Sequence, residues 1–104
     1  MTPSRERLEA LLAQNGESAL LRFGLGLACL ETAPIDAAEH LRRAVALDPA
    51  YSAAWKALGR ALHANGELTA AAQAYQQGID VAERQGDVQA AKEMRVFLKR
   101  VERA

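Results

Sequence analysis

The sequence predicts an all-α chain of antiparallel helix-turn-helix repeats, about six helices with no sheet. Three observations predict it. Half of the 104 residues are apolar but very few are aromatic, alanine is abundant and β-branched residues are scarce. That composition lets helix backbones approach closely and disfavours strands. Breaks at Asn15-Gly16, Asp48-Pro49, Asn65-Gly66 and Gln85-Gly86 divide the chain into segments of helix length. Finally, the chain echoes itself. Leu25-Gly26 matches Leu58-Gly59 at an offset of 33, and Ala37, Leu41 and Ala44 match Ala71, Tyr75 and Gly78 at 34. Self-similarity at such a period is the mark of a stacked repeat.

Each helix has its own signals. The first opens at Thr2-Pro3, a cap residue followed by proline at the first helical position, and carries Leu8, Leu11 and Leu12 on one side. The second runs from about Ser18 to Glu31 and the third from Pro34 to Leu47. Asp48 stops the third, because a residue preceding proline is pushed out of the α region. The fourth covers Ser52 to Ala64, the fifth Glu67 to Gln85, and Asp87 caps a sixth that reaches nearly to the C-terminus. The two offsets differ by one residue, which requires a shorter turn around Thr32-Ala33-Pro34. Gly66-Glu67-Leu68-Thr69-Ala70-Ala71 is echoed by Gly86-Asp87-Val88-Gln89-Ala90-Ala91, so the last helix begins like the second helix of a unit.

The stretch Trp55-Lys56-Ala57-Leu58-Gly59-Arg60-Ala61-Leu62, followed by Ala71 and Tyr75, has the spacing W-x2-L-G, then A-x3-F/Y. With Leu25, Gly26, Ala37, Leu41, Ala44 and Pro49 in the preceding copy, it resembles the tetratricopeptide repeat family, and the chain is similar to a small bacterial-type member. The resemblance covers about residues 18 to 85 and implies a TPR-like α-solenoid. One domain is expected: a capping helix at 1–17, repeats at 18–51 and 52–85, and a second capping helix at 86–104. Three positions depart from the pattern. Arg22 stands where a large apolar residue is usual, Gly78 replaces an alanine, and Glu83 takes the place of a proline. Packing explains the shared residues. Gly26 and Gly59 admit a close helix approach, Ala37 and Ala71 keep the partner helix near, and Leu41 and Tyr75 fill the space between units. Leu25, Leu41, Ala44, Leu58, Leu62, Ala71 and Tyr75 are the expected core, with Trp55 mostly buried.

Thirteen basic and thirteen acidic side chains cancel, so no single-signed field favours nucleic acid or an anionic membrane. One cysteine, Cys29, excludes an intramolecular disulfide and a cysteine-based zinc site. Without a charged-then-apolar leader or a run of about 18 apolar residues, a cytoplasmic protein is expected.

The chemical candidates are weak. His40 and His63 are 23 residues apart with no metal-ligand spacing. His40 reads as a solvated helix-face residue, and Cys29 as a buried, inert thiol. Asp36, Glu39 and Asp80 read as solvated carboxylates among mixed charges. Gly24-Leu25-Gly26 lacks the strand and spacing of a phosphate loop, and no serine sits in a nucleophile motif. No enzyme, metal or cofactor is expected.

The family resemblance implies that first helices line a concave groove. Carried over, that face comprises Leu20, Phe23, Leu27 and Leu30 in one unit, and Ala53, Lys56, Arg60 and His63 in the next. Spacings of three and four residues hold each set on one face. One half is apolar and one basic, matching a peptide or partner protein that pairs an apolar anchor with acidic residues. Clamps of this family that grip acidic chaperone tails use lysines and asparagines. Lys56 fits such a lysine, but Arg60 stands at an asparagine position, which argues against that ligand. The N-terminal helix could also fold over Leu20, Phe23 and Leu27. An interaction adaptor is therefore the first expectation and a homodimeric module the second. A nucleic-acid binder using Arg95, Lys99, Arg100 and Arg103 comes third, disfavoured by neutral charge and the lack of interleaved aromatics.

Overall fold

The computed structural model describes residues 4–104, and among these every regular element is a helix. They are α1 (Arg5–Asn15), α2 (Ala19–Cys29), α3 (Pro34–Leu47), α4 (Ser52–Ala64), α5 (Leu68–Arg84) and α6 (Val88–Arg103). Thr2 and Pro3 lie outside the described residues. The cap seen on α1 is Ser4, whose hydroxyl accepts from the Arg7 amide. Ser18 does the same for α2 through the Leu21 amide, and Asp87 for α6 through Ala90. These side chains satisfy amides that a helix start otherwise leaves unpaired. Among the described residues no helix is long and apolar enough to cross a membrane.

Each helix packs on the next, and α2, α4 and α6 also meet in succession, so that these three form one face. The sixth helix corrects the sequence reading. It lies along α5 and touches α4, as α4 lies along α3 and touches α2. It therefore takes the place of a next first helix, although its opening residues echo a second one. The echo reflects a shared turn rather than a shared role. At Gly66 (φ 77°) and Gly86 (φ 73°) a left-handed residue lets the following amide bond back to Leu62 and Ala82, at 2.9 and 2.8 Å. Between α2 and α3 the turn is shorter. Leu30 continues in right-handed geometry and the Ala33 amide bonds Cys29 at 2.8 Å, so the missing residue falls between Cys29 and Pro34.

The expected core residues Leu25, Leu41, Ala44, Leu58, Leu62, Ala71 and Tyr75 are all buried, as is Cys29. A Cβ on Gly26 would strike the Leu41 side chain, and one on Gly59 would lie 2.5 Å from the Tyr75 ring. The same glycine-against-large-residue contact thus recurs in both pairs. Gly78 departs from alanine for a visible reason: Met94 of α6 and the Cβ of Trp55 occupy the space a methyl group would need. Trp55 is mostly buried, as expected, and packs against the core. Its indole N–H donates to the Pro49 carbonyl at 2.8 Å, which fixes the ring at the loop between α3 and α4.

Arg22 is held in a polar cluster. Its side chain is only 12% exposed, pairs with Glu17 at 2.5 Å, and donates to Nδ1 of His40 at 3.0 Å. His40 is thus a half-buried partner of Arg22, not the solvated residue expected from sequence. Burial, and then the Arg22 charge, hold its pKa below the usual histidine value. The hydrogen bond from Arg22 likewise lowers that of Glu17. Both folded-state values lie below the unfolded ones, so the unfolded chain binds more protons on acidification. The associated stability is present above the unfolded pKa values and is lost as pH falls through the folded ones. The melting temperature should therefore drop between about pH 7 and pH 5, and drop less in His40→Gln, because histidine normally titrates in that window. Equal slopes for the two proteins in thermal melts would rule out His40 as a source.

Candidate functional site

The face formed by α2, α4 and α6 carries most of the groove residues expected from sequence. Phe23 and Leu27 of α2 meet Ala53, Lys56, Ala57 and Arg60 of α4 around a cleft of about 160 Å³. The helical registers explain this. Phe23 and Leu27 are one turn apart, as are Lys56 and Arg60, so each pair stacks along its helix and faces the other. Phe23 is fixed from below by Tyr51, at 4.9 Å between ring centroids. Leu20 remains 68% and Leu27 44% exposed, so α1 does not cover this face. Instead α1 packs on α2 with Leu8 buried beside Gly24.

Leu30 does not join the groove, contrary to the sequence expectation. Helix α2 ends at Cys29, two residues before the expected Glu31, and Leu30 caps it while sinking into the core at 8% exposure. The shortened turn draws it inward. Lys56 also differs from expectation, because its ammonium is engaged by Glu93 of α6 at 3.1 Å.

Sequence reasoning allowed α6 a partner or dimer contact but did not place it beside α4. Arg60, His63 and Ala64 of α4 border a second depression of about 350 Å³ together with Tyr75 and Phe97. Phe97 stacks on Tyr75 at 5.8 Å. Lys56 and the Arg100 guanidinium stand over the Phe97 ring, at 5.7 and 5.4 Å from its centroid, within the range of cation–π attraction. Burial pushes the Tyr75 hydroxyl up to about 12, and Arg60 and Arg100 are the cations acting against that rise. Among the described residues neither Arg60 nor Arg100 is in an ion pair. The signal for α6 lay in the i, i+3 pair Phe97 and Arg100, but an apparent second helix gave no reason to place them beside α4.

The groove thus has an apolar end at α2 and a basic, aromatic end between α4 and α6. Among the described residues no three His, Cys, Asp or Glu side chains converge as metal ligands would. Burial raises the Cys29 thiol pKa, which keeps it protonated and poorly nucleophilic.

Comparison with known proteins agrees with this architecture. A TPR repeat-containing protein of Pseudomonas aeruginosa is 52% identical over 100 residues, covering 95% of each chain. The solution structure of a protein from Bordetella parapertussis superposes with a TM-score of 0.82 at 45% identity, covering 99% of this chain and 90% of that one. A family model described as tetratricopeptide repeat matches residues 36–87. By repeat, relative and fold alike, the chain belongs to the tetratricopeptide repeat family.

Proposed function

We propose that this protein is a non-enzymatic, cytoplasmic interaction adaptor that holds a segment of a partner protein in the α2–α4–α6 groove. Tetratricopeptide repeats generally mediate protein–protein interaction; the finer reading rests on this chain's own geometry. The observation that carries it is the cleft in which Phe23, Leu27, Ala53 and Ala57 meet Lys56 and Arg60. An apolar side chain of the partner enters between Phe23 and Leu27, and an acidic group extends toward Arg60 and His63. Burial supplies affinity at one end and charge-assisted hydrogen bonds supply orientation at the other. In this reading the repeats span 18–51 and 52–85, with the remaining helices closing the stack.

Leu27→Asp tests this directly. A charge at the apolar end should weaken partner capture at least about tenfold, since an unpaired carboxylate is costly to desolvate. Stability should change little, because surface substitutions usually stay within about 0.5 kcal/mol. Partner captured by crosslinking from native extract is titrated against both proteins, and equal affinities would remove the groove as the site. The exposure of Leu20 supports a second reading, a homodimer formed through α2. Light scattering separates the two, because only the dimer changes mass with protein concentration.

A further inference from the structure

The basic end of the groove is specialised beyond general attraction for acidic segments. Three cations, Lys56, Arg60 and Arg100, stand around the Phe97–Tyr75 pair, and among the described residues the one carboxylate paired with any of them is Glu93, bound to Lys56. The local balance is therefore an excess of two positive charges. Arg60 and Arg100 are exposed; Arg60 borders the depression, Arg100 stands over the Phe97 ring that forms part of its wall, and the stacked rings supply no counter-ion. His63 lies on the rim of the depression as a further donor. A carboxylate brings one negative charge and would leave one guanidinium unmatched. A phosphomonoester brings about −1.5 to −2 and three strong acceptor oxygens, enough for two guanidiniums at once.

We propose that this pocket binds a phosphorylated side chain of the partner, the phosphate held by Arg60 in the depression and reached by the Arg100 guanidinium from its place beside Phe97. The proposal rests on the groove reading and specifies the chemistry of its basic end. The apolar cleft of Phe23 and Leu27 then sets the direction of the segment, and phosphorylation decides whether the far end engages. A nucleic-acid backbone is disfavoured, because each diester carries a single charge and the site offers one compact depression rather than a continuous track.

The test uses small probes and the full chain. N-acetyl-O-phosphoserine amide, N-acetylglutamate amide and a short oligothymidylate are each titrated while the protein's NMR signals are followed. The phosphoserine derivative should shift the signals of Arg60, His63, Phe97 and Arg100. It should saturate at least about tenfold below the glutamate derivative, the gain expected of an additional charge-assisted hydrogen bond. The double variant R60Q/R100Q should lose that difference. K99Q/R103Q removes the same charge from α6 residues that neither border the depression nor stand over Phe97, and should keep it. Both pairs are exposed, so folding is not at stake. Equal saturation by the two amino-acid derivatives, tighter binding of the oligothymidylate, or an unchanged R60Q/R100Q variant would overturn the proposal. If the probes fail while Leu27→Asp still releases captured partner, the groove reading stands and only the phosphate assignment falls.

Discussion

Tyr75→Ala should destabilise the protein by about 3–5 kcal/mol, the range for truncating a buried aromatic side chain. The ring is 1% exposed and fills the space between α4, α5 and α6, against Gly59 on one side and Phe97 on the other. Gly59, which faces the ring, has no side chain to fill the void. A domain of this size holds roughly 5–15 kcal/mol in all, so the variant loses a large share of its stability. Its melting temperature should fall by more than about 10 °C. Urea unfolding of both proteins measures the difference, and a loss below about 1 kcal/mol would mean that Tyr75 is not the wedge between units. The groove should suffer too, since Phe97 and the Arg100 above it rest on this ring.

How far the fold was legible follows from where its information sits. The contacts Gly26–Leu41 and Gly59–Tyr75 could be paired from sequence because a repeat writes the same packing solution twice. Comparing the two copies also revealed the one-residue deletion and confined it to the turn before Pro34. What could not be compared was misread. Helix α6 has no full copy in the chain, so its place was inferred from its first turn, which reports how a helix begins rather than what it packs on. Leu30 failed for a related reason. The groove register was carried one turn too far, past the point where the shortened turn ends α2 at Cys29.

The candidate site was legible where one helix sufficed and illegible where two had to meet. Phe23 with Leu27, and Lys56 with Arg60, follow from helical spacing alone. That Lys56 pairs with Glu93 and that Arg100 stands over Phe97 depends on the placing of α6 beside α4. Arg22 shows the same limit. A charged residue at an apolar position looked like a weakness in the repeat, yet Glu17 and His40 satisfy it from two other segments.

Gly59→Leu should destabilise the protein by about 1–3 kcal/mol or somewhat more through overpacking. Two effects oppose each other. Replacing a mid-helix glycine recovers roughly 1 kcal/mol of helix propensity. Against that, the first added carbon would lie 2.5 Å from Cε1 of Tyr75, and the ring has Phe97 stacked beyond it. The ring cannot withdraw without separating α6 from α5, so the steric cost wins. A double-mutant cycle isolates the cause. In Tyr75→Ala the obstructing ring is gone, and a leucine at position 59 has a cavity to enter. The double variant should therefore be less destabilised than the sum of the single changes, with a coupling of about 1–3 kcal/mol, as residues in direct contact show. Additive losses in urea unfolding would mean that Gly59 is required for something other than the approach of Tyr75. The same cycle at Gly16, where a Cβ would meet nothing within 4 Å, should show no coupling to Tyr75, because residues that share no partner add independently.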